Sequence, residues 1–159
     1  MTTRHGTLVA MYGSGVLLTG DSGTGKSELA LQLVRRGHAL VADDAPELTV
    51  DQGRVIGRSS YALAGKLQLR GLGVLDLGER LGSDALKSSA PIELIIALSR
   101  QAETDPRPLE GSRPGQQILL GVRLPCWTIP VDRAPASPEL IELAAQLTIR
   151  QPGSPAVWN

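Results

Sequence analysis

The fold is decided by the stretch Gly20-Asp-Ser-Gly-Thr-Gly25-Lys26-Ser27, which fits the pattern G-x-x-x-x-G-K-[ST] at every position. This pattern is typical of loops that bind nucleotide phosphates, provided that a strand precedes the loop and a helix follows it. Residues 16–19 are apolar and strand-like, and residues 28–36 carry apolar side chains at helical spacing. The alternative is a chance glycine-rich turn. The match on both sides favours a phosphate-binding loop.

The residue types in this loop suit a phosphate ligand. Glycines let the backbone curl so that successive N–H groups point at phosphate oxygens, and the following helix adds the positive end of its dipole. Lys26 would place its charge on the β- and γ-phosphates, and the Ser27 hydroxyl can bind Mg²⁺. We therefore expect a nucleoside triphosphate or a related phosphate compound to contact eight residues: Gly20, Asp21, Ser22, Gly23, Thr24, Gly25, Lys26 and Ser27.

The rest of the sequence predicts one α/β domain around the loop. Apolar runs of strand length occupy residues 7–12, 16–19, 38–42, 74–77, 92–98, 118–122 and 127–131. A polar edge hairpin is expected at residues 48–50 and 54–56, and helices at residues 28–36 and 138–150. Residues 103–117, rich in Pro, Gly and charge, predict a mobile loop. We expect the domain to span residues 1–150, with a disordered tail over residues 151–159.

Composition excludes several classes of protein. The 159 residues carry 16 Lys and Arg against 16 Asp and Glu, which argues against binding nucleic acid through a basic surface. Cys126 is the only cysteine, so neither an internal disulfide framework nor a cysteine zinc cluster is possible. No apolar run reaches the roughly 18 residues of a membrane-spanning helix, and no signal peptide precedes the loop. We expect a cytoplasmic protein with no membrane and no nucleic-acid partner.

A second candidate feature is the pair Asp43-Asp44, which ends the strand after the loop's helix. Such carboxylates beside a phosphate loop can hold Mg²⁺ or take a proton from an attacking hydroxyl. An acid pair after a strand is more often a turn or a helix cap, but a neighbouring phosphate loop favours the functional reading. The Asn-Lys-x-Asp pattern by which GTPases read their base is absent, which argues against a GTPase switch.

Several stretches together resemble the catalytic domain of bacterial HPr kinase/phosphorylase over residues 4–150. They are His5-Gly6, residues 12–28 with the loop, Arg36-Gly-His-Ala-Leu-Val-Ala-Asp-Asp44, Leu69-Arg-Gly-Leu-Gly-Val-Leu-Asp76, Ile129-Pro-Val131 and Glu142-Leu-Ala-Ala145. The resemblance implies a P-loop kinase domain with a mixed twisted sheet, related to phosphoenolpyruvate carboxykinase and assembled as a homo-oligomer, usually a hexamer. The chain is similar to short forms that lack the N-terminal domain of larger members.

The same resemblance implies a function. Members of this family use ATP to phosphorylate a serine of the phosphocarrier protein HPr, in regulation of the phosphotransferase system, and many also remove that phosphate with inorganic phosphate. Lys26 would bind the β-phosphate, and Asp43 would be the general base that takes the serine proton. His5 would lie beside the Asp43-Asp44 pair and tune it, whereas His38 would be structural. Arg70 would stabilise charge near the phosphates, with a surface ion pair as its alternative.

The chain departs from the family pattern at Gln68, in the spacing around Arg107 and at residues 132–137. The metal ligands expected here are Ser27, Asp44 and Gln68, but the family has Glu where this chain has Gln68, so a charge that favours Mg²⁺ is lost. A second catalytic arginine matches Arg107 best, with Arg100 and Arg113 as alternatives.

Residues 132–137 keep at most one charge of the stretch that contacts the substrate in the family. Two other readings therefore stay open: a nucleotide-sensing P-loop module with little catalysis, and a small-molecule kinase.

Overall fold

A nine-stranded mixed sheet organises the chain, whose computed structural model describes residues 2–100 and 114–149. Its strands are β1 (Thr2–Thr3), β2 (Thr7–Met11), β3 (Ser14–Thr19), β4 (Ala39–Asp43), β5 (Glu47–Asp51), β6 (Arg54–Arg58), β9 (Ser89–Ser99), β10 (Gly115–Leu119) and β11 (Val122–Pro130). They lie in the order β1-β5-β6-β9-β3-β2-β4, and β11 pairs with both β9 and β10. A separate hairpin consists of β7 (Lys66–Leu69) and β8 (Gly73–Asp76).

Three α-helices accompany the sheet in the described part of the chain. They are α1 (Lys26–Arg35), α2 (Leu77–Leu81) and α3 (Pro138–Thr148), and two 3₁₀ turns lie at Tyr61–Leu63 and Ser83–Ala85. The hydroxyl of Ser137 accepts a hydrogen bond from the Leu140 N–H and so caps the start of α3. No helix in the described part of the chain has the length and the apolar character needed to cross a membrane.

The long strand β9 determines where the glycine-rich loop lies. It runs parallel to β3 and β11 and antiparallel to β6. Thr19, the last residue of β3, pairs with Ala97, and Ile129 of β11 pairs with Leu98. The three parallel strands therefore end at one edge of the sheet, and the loop that follows β3 lies at this edge. Ligands of open α/β sheets commonly bind beyond such carboxyl ends.

Alternate residues of the central strands build two hydrophobic cores, as the period of two in a strand requires. One core joins Leu18 and Ile96 of the sheet to Leu33 of α1 and Ile141 of α3. The other core joins strands at the two ends of the sheet to its centre, and its members include Leu17, Ile95, Leu48, Val55 and Leu124. The sheet therefore curls over its second face. Both cores are aliphatic, since the chain has no Phe.

Helix α3 is attached to the end of α1 by a polar cluster. Glu142 accepts hydrogen bonds from Arg36, with an Nη2–Oε1 distance of 2.6 Å, and lies 2.8 Å from His38 Nε2. The Tyr12 ring meets His38 edge-on, and its hydroxyl accepts a hydrogen bond from Gln146. His38 therefore has the structural position expected from the sequence.

Several predicted boundaries change in the structure. The predicted helix 28–36 begins earlier, at Lys26, because the end of the loop forms the first helical turn. The two predicted strands 118–122 and 127–131 are present with other bounds, as β10 and β11, and they form one hairpin with its turn at Leu120-Gly121, where both residues have positive φ. Residues 115–117 of the predicted loop belong to β10. The rest of that loop, up to residue 113, and the predicted tail lie outside the described residues.

The polar cluster generates a pH-dependent stability prediction for Glu142→Gln. Hydrogen bonding to Arg36 first, and then to His38, lowers the pKa of Glu142. A carboxyl group with a lowered pKa stabilises the fold above its unfolded pKa and loses that contribution as the pH falls through its folded pKa. Urea denaturation should therefore show a loss of about 1 kcal/mol at pH 7 in the variant, and a smaller loss below pH ~4.

Glu139→Gln is the matched control for this measurement. Glu139 also contacts Arg36, at 3.2 Å, but its side chain is 65% exposed. Exposed ion pairs contribute little, so the control should stay within about 0.5 kcal/mol of the parent. Equal free energies of unfolding for parent and Glu142→Gln at pH 7 would contradict the role assigned to this cluster.

Candidate active site

The glycine-rich loop lies against the end of β9. Gly20 has φ +146°, and a Cβ there would come within 2.6 Å of the Leu98 carbonyl oxygen, so only glycine fits. Thr24 closes the loop, since both its backbone N–H and its hydroxyl donate to the Asp21 carbonyl, at 3.2 and 2.8 Å. Gly25 is the N-cap residue of α1 and, having no side chain, provides no side-chain cap for the helix start. The first N–H groups of α1 therefore remain available for an anion.

Lys26 folds back over the loop that precedes it. Its ammonium group donates hydrogen bonds to the carbonyl oxygens of Gly20, at 2.7 Å, and Asp21, at 3.1 Å. These contacts hold the Lys26 charge beside the loop backbone. A positive charge and a row of N–H groups at one helix start form a site for an anion such as a phosphate.

Asp43 connects three elements at the centre of the site. Its carboxylate accepts hydrogen bonds from the Thr7 hydroxyl of β2 at 2.8 Å and from the Ser27 hydroxyl of α1 at 3.0 and 3.2 Å. The backbone N–H of Gln68 in β7 donates a further bond at 3.0 Å. A carboxylate with these donors is held in one orientation beside the loop. It can accept a proton from a bound hydroxyl or take part in holding a metal ion.

Asp44 points to a different partner. Its carboxylate lies 2.9 Å from His5 Nδ1, and both side chains are exposed, at 58% and 92%. The Asp44 backbone N–H donates to the Gly6 carbonyl, which fixes the chain at this point. His5 therefore lies beside the acid pair, as the sequence predicts, and its direct contact is with Asp44. A role in tuning the pair stays a prediction.

Two arginines lie over the loop at Gly23. A Cβ at this position would lie 2.9 Å from Arg100 Nη2 and 3.3 Å from Arg70 Nη2. Arg70 lies in the turn between β7 and β8, and Arg100 directly follows β9. Arg107, the predicted second catalytic arginine, lies outside the described residues.

The structure thus brings most of the sequence-predicted residues together. The loop, Asp43, Gln68 and Arg70 lie around one edge of the sheet, and His5 reaches it through Asp44. Gln68 contacts Asp43 through its backbone, and its side chain is exposed. In the described ranges no three His, Cys, Asp or Glu side chains gather as a metal cluster. The proposed ligand set Ser27, Asp44 and Gln68 contains one acid, so the absence of such a cluster does not bear on it.

Sequence reasoning missed Thr7. It begins an apolar strand and is completely buried, so in the sequence it resembles a core residue. Knowledge that β2 pairs with β4 would have identified it. This pairing puts Thr7 beside Asp43, so that its hydroxyl lies opposite the carboxylate.

The comparisons with known proteins agree on one family. The profile of the family described as "HPr Serine kinase C-terminal domain" matches residues 1–156. The HPr kinase/phosphorylase of Caldicellulosiruptor bescii is 43% identical over 148 residues, which is 90% of this chain and 46% of that protein. The enzyme of the same name from Latilactobacillus sakei is 39% identical over 142 residues, or 89% of this chain and 45% of that protein.

A solved structure extends the likeness to the fold. The Hpr(Ser) kinase/phosphatase from Coxiella burnetii matches with a TM-score of 0.80 and 31% identity, over 92% of this chain and 95% of that one. The chain spans about half the length of the curated relatives that it matches.

The contacts of Asp43 lead to a stability prediction for Thr7→Val. This change keeps the shape of a fully buried side chain but removes one donor from a carboxylate. Hydrogen bonds to charged groups are worth roughly 1.5–3 kcal/mol, so the free energy of unfolding should fall by an amount in this range. The control is Thr49→Val on the exposed side of β5, which should have almost no effect. Equal urea midpoints for Thr7→Val and the parent would show that the bond does not stabilise the site.

Proposed function

The chain belongs to the family of the HPr serine kinase C-terminal domain, and we propose that it transfers a phosphoryl group from ATP to a serine of the phosphocarrier protein HPr. One observation carries this proposal: the Asp43 carboxylate is oriented by three donors directly beside the Ser27 end of the glycine-rich loop. Phosphoryl transfer needs a bound phosphate and a group that orients the attacking hydroxyl. The loop would bind the phosphate, and Asp43, held beside it, would orient the hydroxyl.

The loop supports the proposal of an ATP site in a P-loop kinase of the phosphoenolpyruvate carboxykinase-like type. The uncapped start of α1 can receive phosphate oxygens through its N–H groups. The Lys26 ammonium group, which donates to loop carbonyls, is within reach of the same phosphates. A Cβ at Gly20 would clash with the Leu98 carbonyl oxygen, so this glycine lets the loop pack against the end of β9. ATP as phosphoryl donor also implies a cytoplasmic location.

The donor set beside the loop fits Mg²⁺. This ion prefers oxygen ligands and is usually bound through one or two carboxylates together with substrate phosphates. Ser27 and the Asp43-Asp44 pair offer such oxygens, and the Gln68 amide oxygen is the fourth candidate. When bound, Mg²⁺ would neutralise charge on the transferring phosphoryl group. Because Gln68 carries no charge, we expect weaker binding than an acid at this position would give.

Asp43 is the proposed general base. Its bonds from Thr7, Ser27 and the Gln68 N–H hold the carboxylate in place, so an incoming serine hydroxyl can donate its proton to an oriented oxygen. As the serine oxygen bonds to the γ-phosphorus and the bond between the γ-phosphorus and the β-phosphate oxygen breaks, the carboxylate takes the serine proton, and the products are phosphoserine and ADP. In the reverse direction the protonated carboxyl would return the proton to the leaving serine oxygen. The relatives' names include phosphorylase, and we propose that inorganic phosphate is the acceptor here: it attacks the phosphoserine phosphorus, the serine oxygen leaves with the proton, and pyrophosphate is formed.

HPr as substrate and a homo-oligomer, a hexamer by family resemblance, are parts of the same proposal. Support for HPr comes from the names of the relatives.

A nucleotide-sensing module with little catalysis is the second candidate function, and the observation that favours it is Gln68, which weakens the expected metal site.

A label-transfer assay tests the proposal. Purified chain, radiolabelled ATP, Mg²⁺ and HPr should give labelled HPr. Lys26→Ala should abolish both ATP binding and label transfer, because it removes the loop's charge. Asp43→Asn should bind ATP within a few-fold of the parent but lose at least 100-fold in transfer, since general bases typically contribute 10²–10⁴-fold.

Three results would argue against parts of this account. Full transfer by Asp43→Asn would exclude the base role. ATP binding by the parent without label on HPr would favour the sensing module. Label on a metabolite instead of HPr would favour a small-molecule kinase.

Gln68→Glu tests the metal site separately. The new carboxylate should attract the hard cation, so the Mg²⁺ concentration that gives half-maximal transfer should fall several-fold. Gln68→Asn is the neutral control and should not lower it. An unchanged Mg²⁺ dependence in Gln68→Glu would exclude this side chain as a metal ligand.

A further inference from the structure

Two guanidinium groups from different elements meet at one point above the glycine-rich loop. Arg70 Nη2 and Arg100 Nη2 lie 3.3 and 2.9 Å from the position that a Cβ of Gly23 would occupy. Arg100 Nη2 also lies 3.4 Å from the Ser22 carbonyl oxygen, at the edge of hydrogen-bonding distance. The two positive groups therefore flank the same part of the loop, Ser22-Gly23, and a single small ligand there can touch both.

In the described part of the chain, this pair lacks the acidic partners that several other arginines have. Within residues 2–100 and 114–149, neither Arg70 nor Arg100 forms a salt bridge, whereas Arg36, Arg54 and Arg58 each do. Like charges held side by side repel each other, and a bound anion relieves that repulsion. Both arginines are exposed, so an anion can reach them. The planar fork of a guanidinium matches the oxygens of a phosphate group.

The positions of Lys26 and the two arginines around the loop indicate which phosphate the arginine pair would contact. The Lys26 ammonium lies at the Gly20-Asp21 side of the loop, whereas the arginines lie at Ser22-Gly23. Arg70 follows β7, whose Gln68 N–H donates to Asp43, and positions 68 and 70 are both exposed with buried Leu69 between them. The arginine pair thus belongs to the side of the site that carries the proposed base. The phosphate nearest to an attacking hydroxyl is the terminal one.

We propose that Arg100 is a phosphate-binding residue of this chain and that, together with Arg70, it holds the terminal phosphate of the bound nucleoside triphosphate. This inference rests on the proposed function, because it assumes that the loop binds ATP. It adds a residue from the end of β9 to the site and assigns it a specific task, the discrimination of triphosphate from diphosphate. The absence of a side chain at Gly23 keeps the space between the two guanidinium groups open.

Calorimetric titration of ATP, ADP and AMP, each with Mg²⁺, tests this inference on the parent, Arg100→Gln and Arg100→Lys. Arg100→Gln should weaken ATP binding about tenfold or more, the effect of one charge-assisted hydrogen bond, and should change ADP and AMP binding less than twofold. Arg100→Lys keeps the charge but not the fork, so it should recover part of the loss. Arg123→Gln is the matched control, because Arg123 is exposed near the start of β11, at the opposite end of these parallel strands.

The outcomes separate the inference from the function on which it rests. Unchanged ATP affinity in Arg100→Gln, with a parent that binds ATP, overturns the inference alone. Equal losses for ATP, ADP and AMP also overturn it, since they indicate a general effect on the loop. A parent that binds none of the three nucleotides overturns the proposed function as well. Selective loss of ATP affinity in Arg100→Gln, with partial recovery in Arg100→Lys, supports the inference that Arg100 binds the terminal phosphate.

Discussion

The site depends on the carboxylate of Asp43. This group ends β4, an edge strand, and accepts hydrogen bonds from β2, from the first turn of α1 and from the backbone of β7. Removing a carboxylate from water costs free energy unless hydrogen-bond donors replace the water. The three donors therefore stabilise the arrangement in which β2, α1 and β7 meet at Asp43. Loss of the acid would leave Thr7 and Ser27 without their acceptor. The strand pairing of Thr7 with Asp43 brings the first of these donors into position.

The sheet supplies the second constraint. Because β3, β9 and β11 are parallel, their carboxyl ends meet at one edge, and the glycine-rich loop and Arg100 leave the sheet there. Asp43 comes from the antiparallel side, through β2 and β4. Loop, acid and arginine are therefore distant in sequence but close in space. Two aliphatic cores on opposite faces of the sheet hold this edge in place.

The sequence was most informative where a short motif has only one workable geometry. The strand, loop and helix around Gly20 and Lys26 follow from the motif, and a strand that ends at Asp43 follows from its apolar run. His5 was found only through family resemblance, because a lone histidine upstream carries no signal of its own. The turn at Leu120-Gly121 was missed because Leu120 continues an apolar run yet adopts positive φ. Thr7 could not be assigned and Arg100 was only an alternative to Arg107, since the positions of both depend on pairing between distant strands.

A crystal structure of the chain with Mg²⁺ and a non-hydrolysable ATP analogue would test whether Asp43 and the glycine-rich loop form one phosphoryl-transfer site. The proposed function predicts that the phosphates lie on the N–H groups at the start of α1, with Lys26 turned from the loop carbonyls to the phosphates. It also predicts that the Ser27 hydroxyl contacts the metal ion and that Asp43 stays bonded to Thr7 and faces the terminal phosphate. An analogue bound elsewhere, or an Asp43 carboxylate turned away from the phosphates, would contradict it.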